Sequence, residues 1–294
     1  MNEINLPETY NYAEAYLTFR CNFNCSYCIN KQNGIIGRSE MSPQQWINAL
    51  NRINFGNVSL TLGGGEPTVY KGFYEILKGL KPEIKIDLLT NLQFDVNEFL
   101  QKVTPDRFTK NPKPFYHSIR VSYHPEQSDR KEIIDKAALL QKNGFSIGIF
   151  GIGHPYYINE NMETGFYCSR AGVPFYVKDF LGHLNNRLYG FYKYPEGLDG
   201  NKKICECRTR ELLIAPNGNI YRCHRDLYAD ENPVGNVLDE NHEPRYTFRL
   251  CSNFGECNPC DVKMKTNRFL REIDCQVEIK DSIENKEVNS RDRK

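Results

Sequence analysis

Apolar positions along residues 15–178 alternate between two periods. Short runs of strand character lie at Ala15 to Phe19, 58–62, 84–90, 118–123, 146–152 and 174–178, separated by stretches with helical spacing. The first helix is the most clearly written. Ser42 is placed to cap it, Pro43 fits its first turn and Gln45 completes a capping box. Trp46, Ile47, Leu50 and Ile53 mark its apolar face. Further helices are expected over 69–79, 96–103, 129–143 and near 160–171. Asp129 with Glu132 reads as a capping box, and Gly144 as the stop of that helix. Residues 1–13 are polar and are expected over the first strand; 29–41 and 104–114 read as loops. Strand–helix alternation over this length implies an α/β fold with a parallel sheet covered by helices. Six units are too few for a closed eightfold barrel. Ligands of such sheets gather at the carboxyl ends of the strands.

Candidate chemistry falls at those ends. Cys21-Asn22-Phe23-Asn24-Cys25-Ser26-Tyr27-Cys28 puts three thiols into eight residues. Three thiolates this close can converge on one soft metal centre. They do not complete a tetrahedral zinc site, and no other His or Cys lies nearby in sequence. An iron–sulfur cube held by three cysteines keeps one iron open to a ligand. A zinc knuckle and a structural disulfide are the bland alternatives. Gly63-Gly64-Gly65-Glu66-Pro67-Thr68 follows the run 58–62. Glycines after a strand let a ligand approach the backbone, and Glu66 offers a carboxylate to an amine. No Gly-Lys-Ser/Thr is present, so this is not a phosphate loop. Alone, the stretch reads as an ordinary glycine turn.

Together the two motifs resemble the radical S-adenosylmethionine (SAM) superfamily. The resemblance implies an open, partial (β/α)6 TIM-like barrel over 15–180. It implies that Cys21, Cys25 and Cys28 hold a 4Fe-4S cluster whose open iron is chelated by SAM. Gly64, Gly65 and Glu66 then hold the SAM amine, and Tyr27 lies against the adenine. The implied reaction is reductive cleavage of SAM to methionine and a 5′-deoxyadenosyl radical. Thr90, Asn91 and Ser122, at strand ends, carry over as contacts to the ribose and the methionine carboxylate. His124 is the catalytic candidate, facing the substrate, with His154 behind it. For each His the alternative is a loop residue bonded to local backbone. Arg120 reads as structural.

Composition narrows the setting. The 294 residues are 39% hydrophobic and 26% charged with net charge +1, room for one large domain or a domain with an appendage. That balance argues against bulk affinity for nucleic acid. The longest apolar run, Ile147 to Ile152, holds two glycines and does not approach a membrane span. No signal peptide is visible at the N-terminus. Eleven cysteines then point to reduced thiols and metal sites in the cytoplasm.

Periodicity dissolves over 181–204, which reads as a linker or lid whose aromatics wall the substrate or pack two domains together. Cysteines then recur: Cys205, Cys207, Cys223, Cys251, Cys257 and Cys260. The run 212–221 reads as a hairpin turning at Asn217-Gly218. Cys207, Gly218 and Cys223, with ten and then four residues between them, resemble the start of the auxiliary-cluster domains called twitch and SPASM. That resemblance implies a small domain over 205–275 with a second, auxiliary 4Fe-4S cluster on Cys207, Cys223, Cys257 and Cys260. Cys205 can replace Cys207, and Cys251 either member of the later pair. The seven-cysteine SPASM order is not reproduced, and structural zinc on the same four thiolates is the alternative. Cys168 and Cys275 read as ordinary small residues, and 276–294 as a mobile polar tail.

The expected activity is hydrogen abstraction from an unactivated C–H bond, the second cluster accepting an electron or shaping the pocket. Twenty residues precede Cys21. Peptide-modifying relatives often carry a recognition domain before the barrel, which favours a small polar substrate, such as a sugar or nucleotide derivative. A peptide maturase or epimerase is the alternative. A non-catalytic iron–sulfur or zinc protein has no use for Glu66 behind three glycines. The implied partners are the small-molecule substrate and a reductant such as flavodoxin or ferredoxin, with no nucleic acid and no membrane.

Overall fold

The computed structural model describes residues 2–28, 38–108, 116–266 and 273–281. The expected loops 29–41 and 104–114, and the tail, fall partly outside the described residues; against the expectation of a mobile tail from 276, residues 277–281 form a strand because Val277 is buried and the segment pairs with Lys203–Thr209. β1 (Tyr12–Thr18), α1 (Pro43–Leu50), β2 (Leu60–Gly64), α2 (Phe73–Gly79), β3 (Ile86–Thr90), α3 (Val96–Lys102), β4 (Ile119–Ser122), α4 (Arg130–Lys142), β5 (Ile147–Gly153), α5 (Ile158–Arg170) and β6 (Phe175–Asp179) follow in order. β1 to β6 pair in sequence order, all in parallel. This is the α/β, partial TIM-like barrel that the motifs imply.

Local chemistry sets the ends of the helices. The Ser42–Gln45 box closes in both directions. Asp129 caps α4 by accepting from the Glu132 amide at 2.8 Å. The Glu132 carboxylate pairs with Lys136 at 2.6 Å instead of completing a box. The helix expected from 69 starts at Phe73, because Pro67–Val69 forms a 3-10 turn and Tyr70 is extended (ψ 121°).

Each barrel strand has two faces. Ala13, Ala15, Leu17, Leu60, Leu62, Ile86, Leu88, Ile119, Val121, Ile147 and Ile149 pack with Trp46, Leu50, Phe73, Ile76, Phe99, Ile133 and Leu140 of the helices in one core. Each fully buried Leu, Ile or Phe contributes about 1.5–3 kcal/mol. Alternate positions face the lumen, and register puts Glu14, Thr61 and Asp87 side by side. Arg120, expected as a structural residue, also lies on this inner face and pairs with Asp87 at 3.6 Å.

Downstream come β7 (Gly182–Leu184), β8 (Arg187–Tyr189), β9 (Lys203–Thr209), β10 (Glu211–Ile214), β11 (Asn219–Tyr221), α6 (His224–Ala229), β12 (Gly235–Asn236), β13 (Arg249–Phe254), α7 (Pro259–Val262) and β14 (Val277–Asp281). β7 and β8 form a small hairpin within 181–204. After it, Lys193 N donates to Val262 O at 2.9 Å and Met264 N to Phe191 O at 2.8 Å, so this stretch packs on the C-terminal region. β13, β9 and β14 make a separate three-stranded antiparallel sheet. One residue past β9 the chain enters β10, which pairs in parallel with β1. The hairpin β10–β11 turns at Gly218 (φ +86°) and, with β12, extends the barrel sheet to nine strands. Arg210 is the pivot between the two sheets, bonded to Tyr246 (3.2 Å), Asp274 (2.9 Å) and Glu278 (2.6 Å).

Candidate active site

The glycine run sits where β2 ends against β1. Gly65 N donates to Thr18 O at 2.8 Å and Glu66 N to Arg20 O at 2.9 Å. Gly64 has φ +134°. A Cβ on Gly65 would stand 2.3 Å from Arg20 O, so no side chain fits between the segments. Glu66 is 1% exposed. Its Oε1 accepts from Thr68 Oγ1 (2.7 Å), Thr68 N (3.2 Å) and Thr90 Oγ1 (2.9 Å), and its Oε2 from Asn91 N (2.6 Å). Burial pushes the carboxyl up, and these donors oppose the rise. Among the described residues Oε2 takes this one bond, which leaves it room for an amine. Asn91 Nδ2 donates to Asn22 Oδ1 at 2.7 Å and reaches Cys21 Sγ at 3.8 Å. Glu66 is therefore linked through Asn91 to the start of the cysteine loop.

Within that loop Cys21 is exposed, Cys25 buried and Cys28 between the two. Phe23 N donates to Cys21 Sγ at 3.3 Å. Burial, then the neighbouring Cys28 and Cys21, push the Cys25 thiol up to about 12. The Cys25 thiol therefore resists ionisation until a metal centre holds it. This soft donor set fits an iron–sulfur cluster.

The segment after β4 clamps the loop from one side. Glu126 accepts from Ser26 N (2.7 Å), Ser26 Oγ (2.5 Å) and Tyr157 OH (2.5 Å). Gln127 Oε1 accepts from Asn24 N at 3.3 Å. Sequence reasoning missed both residues; the available signal was an acid just past a Pro at a strand's carboxyl end. Tyr27 OH bonds His124 Nδ1 at 3.0 Å, and its ring stacks on His154 at 5.5 Å. Burial lowers His124 to about 4, so at neutral pH its imidazole is uncharged, and the tautomer sets which partner of the Tyr27 OH–Nδ1 bond donates. His154 Nδ1 accepts from Tyr156 N at 3.3 Å, a bond to local backbone. Ser122 ends β4 in register with Phe150, on the inner face.

The later cysteines gather elsewhere. Cys205, Cys207, Cys223, Cys251 and Cys257 line one cavity. Cys205 faces Cys251 across β9 and β13, and Cys207 lies on the same face of β9. Cys207, Cys223 and Cys257 of the four implied by the resemblance are here; Cys260 is not part of this lining. It lies in the first turn of α7, within electrostatic reach of Lys178, His224 and Lys265. The neighbouring Asp261 fixes that turn, accepting from His224 N (2.8 Å), His224 Nδ1 (2.8 Å) and Arg225 N (3.1 Å). Cys168 is fully buried in α5. Cys275 Sγ donates to Asp261 O at 3.0 Å.

Residues 16–166 match the family model of the Radical SAM superfamily. The chain belongs to the radical SAM superfamily. It is therefore an enzyme of a family that uses a 4Fe-4S cluster and SAM. It is 22% identical over 323 residues to the radical SAM cyclopropyl synthase TigE of Paramaledivibacter caminithermalis, covering 89% of this chain and 68% of that protein. A probable GTP 3′,8-cyclase of Thermococcus kodakarensis is 35% identical over 75 residues, 24% of each chain. Among solved structures, native anSMEcpe with bound AdoMet aligns with TM-score 0.52 and 15% identity, over 80% of this chain and 78% of that one. Streptococcus suis SuiB aligns with TM-score 0.48 and 15% identity over 82% of this chain, which spans 64% of SuiB. Among the described residues of this radical SAM enzyme, no helix is long and apolar enough to cross a membrane.

Two expected outcomes test the site's frame. Glu66→Gln turns one acceptor into a donor among four donors. SAM affinity is expected to fall roughly ten- to a hundredfold, about 1.5–3 kcal/mol, with iron content near wild type. An unchanged dissociation constant in equilibrium dialysis removes Glu66 from SAM binding. Glu126→Ala frees the Ser26 side of the loop. Iron is then expected to leave to a chelator roughly three- to tenfold faster than in wild type. Equal rates remove the clamp role.

Proposed function

We propose that this radical SAM enzyme holds its SAM-binding 4Fe-4S cluster on Cys21, Cys25 and Cys28, and binds SAM at the carboxyl ends of β1 to β4. When bound, the cluster and SAM supply a 5′-deoxyadenosyl radical that takes hydrogen from a C–H bond of the substrate. The observation that carries this reading is the continuous link from Glu66 through Asn91 to Asn22 and Cys21. It joins the residue proposed for the SAM amine to the residue proposed for iron. Gly64 and Gly65 keep side chains out of the approach to Glu66. Thr90 orients Glu66, and Ser122 offers a hydroxyl at the next strand end but one. Tyr27, backed by His154, offers a ring face for adenine, while neutral His124 fixes the Tyr27 hydroxyl.

The lumen is the proposed substrate chamber. Glu14, Thr61, Asp87, Arg120 and Lys178 on its wall support a polar substrate, a small metabolite in the first reading. A peptide is the second reading, favoured by one observation: solved neighbours of this fold include anSMEcpe with bound AdoMet and Cp18Cys peptide, TM-score 0.51. We assign an auxiliary cluster to the cysteine cavity, in a C-terminal unit whose expected span, 205–275, is extended by β14, which supplies Val277 and Ile279 to the cavity. The reductant proposed is a flavodoxin or ferredoxin. The test is anaerobic reconstitution followed by SAM and dithionite. Release of 5′-deoxyadenosine is expected; its absence from protein with full iron overturns the reading.

A further inference from the structure

Lys178 lies near the carboxyl end of β6, in register beside Ile152 on the lumen side. Its side chain reaches the water of the lumen but has protein around it. Among the described residues no carboxylate comes within ion-pair distance of its Nζ, which stands 4.6 Å over the centre of the Phe150 ring. The charges that act on it are Arg120 and Lys263, which repel it, and Glu14, which attracts it. The two inner carboxylates on this wall have other partners. Asp87 pairs with Arg120 at 3.6 Å and accepts from Tyr116 OH. Glu14 accepts from Tyr12 OH at 2.6 Å. An ammonium with no paired carboxylate, under the charges of two further cations, is stabilised when an anion joins it.

We infer that Lys178 receives an anionic group of the substrate, a carboxylate or a phosphate. This rests on the lumen being the substrate chamber. Burial, then the charges of Arg120 and Lys263, hold the Lys178 ammonium down to about 7. A bound anion favours the ammonium and so protects the amine from acylation.

The test uses the reconstituted holoenzyme, an amine-acylating N-hydroxysuccinimide ester at neutral pH, and inorganic phosphate or acetate as probes. Chloride at equal ionic strength is the reference. Peptide mass spectrometry compares Lys178 with Lys131, whose side chain is 87% exposed. Phosphate or acetate is expected to slow acylation of Lys178 about fivefold or more, leaving Lys131 unchanged. Protection by phosphate alone supports a phosphorylated substrate, and by acetate alone a carboxylate; protection by both supports a shared anion site. Equal rates at Lys178 in all three salts overturn the inference. In Lys178→Met the thermal shift given by the protecting anion is expected to vanish; a retained shift also overturns it. If that variant does not fold, the wild-type acylation still decides. SAM cleavage by the same preparation tests the underlying reading separately. Cleavage without protection removes only Lys178's role, whereas protection without cleavage overturns its role toward a substrate.

Discussion

With Cys21, Cys25 and Cys28 changed together to Ala, the reconstituted protein is expected to keep about half the wild-type iron and to release no 5′-deoxyadenosine. Wild type should carry about eight irons per chain, two four-iron cubes. The three thiols share one short loop, held by Asn91 at Cys21 and by Glu126 at Ser26. The later cysteines line a cavity built on a different sheet. Loss of the first set therefore leaves the second with its ligands. Full iron content in the triple variant would show that the first cluster is not held there.

The second large effect belongs to that cavity. Its walls come from β9, the start of α6, β13 with the turn that follows it, and β14, segments spread over residues 205–279. Metal binding that joins them is linked to folding of the region. Cys223→Ala or Cys257→Ala is expected to lose about half the iron and to expose 205–262 to protease. SAM binding should survive, and Cys168→Ala should change neither. The fourth ligand separates geometry from spacing. The cavity lining offers Cys205 and Cys251 for the fourth place, so it predicts loss for one of Cys205→Ala and Cys251→Ala and retention for Cys260→Ala. The reverse result restores the Cys257–Cys260 pair. Loss of one zinc in place of iron makes the site structural.

Much of the barrel was legible because its signals are local. Ser42, Pro43 and Gln45 specify a cap, and the alternation of Leu60, Leu62 and their neighbours specifies strands with one face on the helices. What stayed hidden depends on contacts between distant segments. Nothing near Glu211–Ile214 in sequence says that this strand pairs in parallel with Tyr12–Thr18. Glu126 gains its role only when residues 124–127 meet residues 24–26. Arg120 reads as a wall residue until register turns it inward beside Asp87. The CxxC spacing suggests joint ligands, but Asp261, bonded to His224, sets how the turn holding Cys260 sits. The cysteine triplet and Glu66 were legible as chemistry because few other uses suit those residue types so spaced.

The central claim is that SAM binds at the cluster of the first cysteine loop. Electron paramagnetic resonance of the Cys223→Ala variant, reduced with dithionite, tests it with the auxiliary signal removed. Adding SAM is predicted to shift the g values of the remaining 4Fe-4S signal. A spectrum unchanged by saturating SAM contradicts the account.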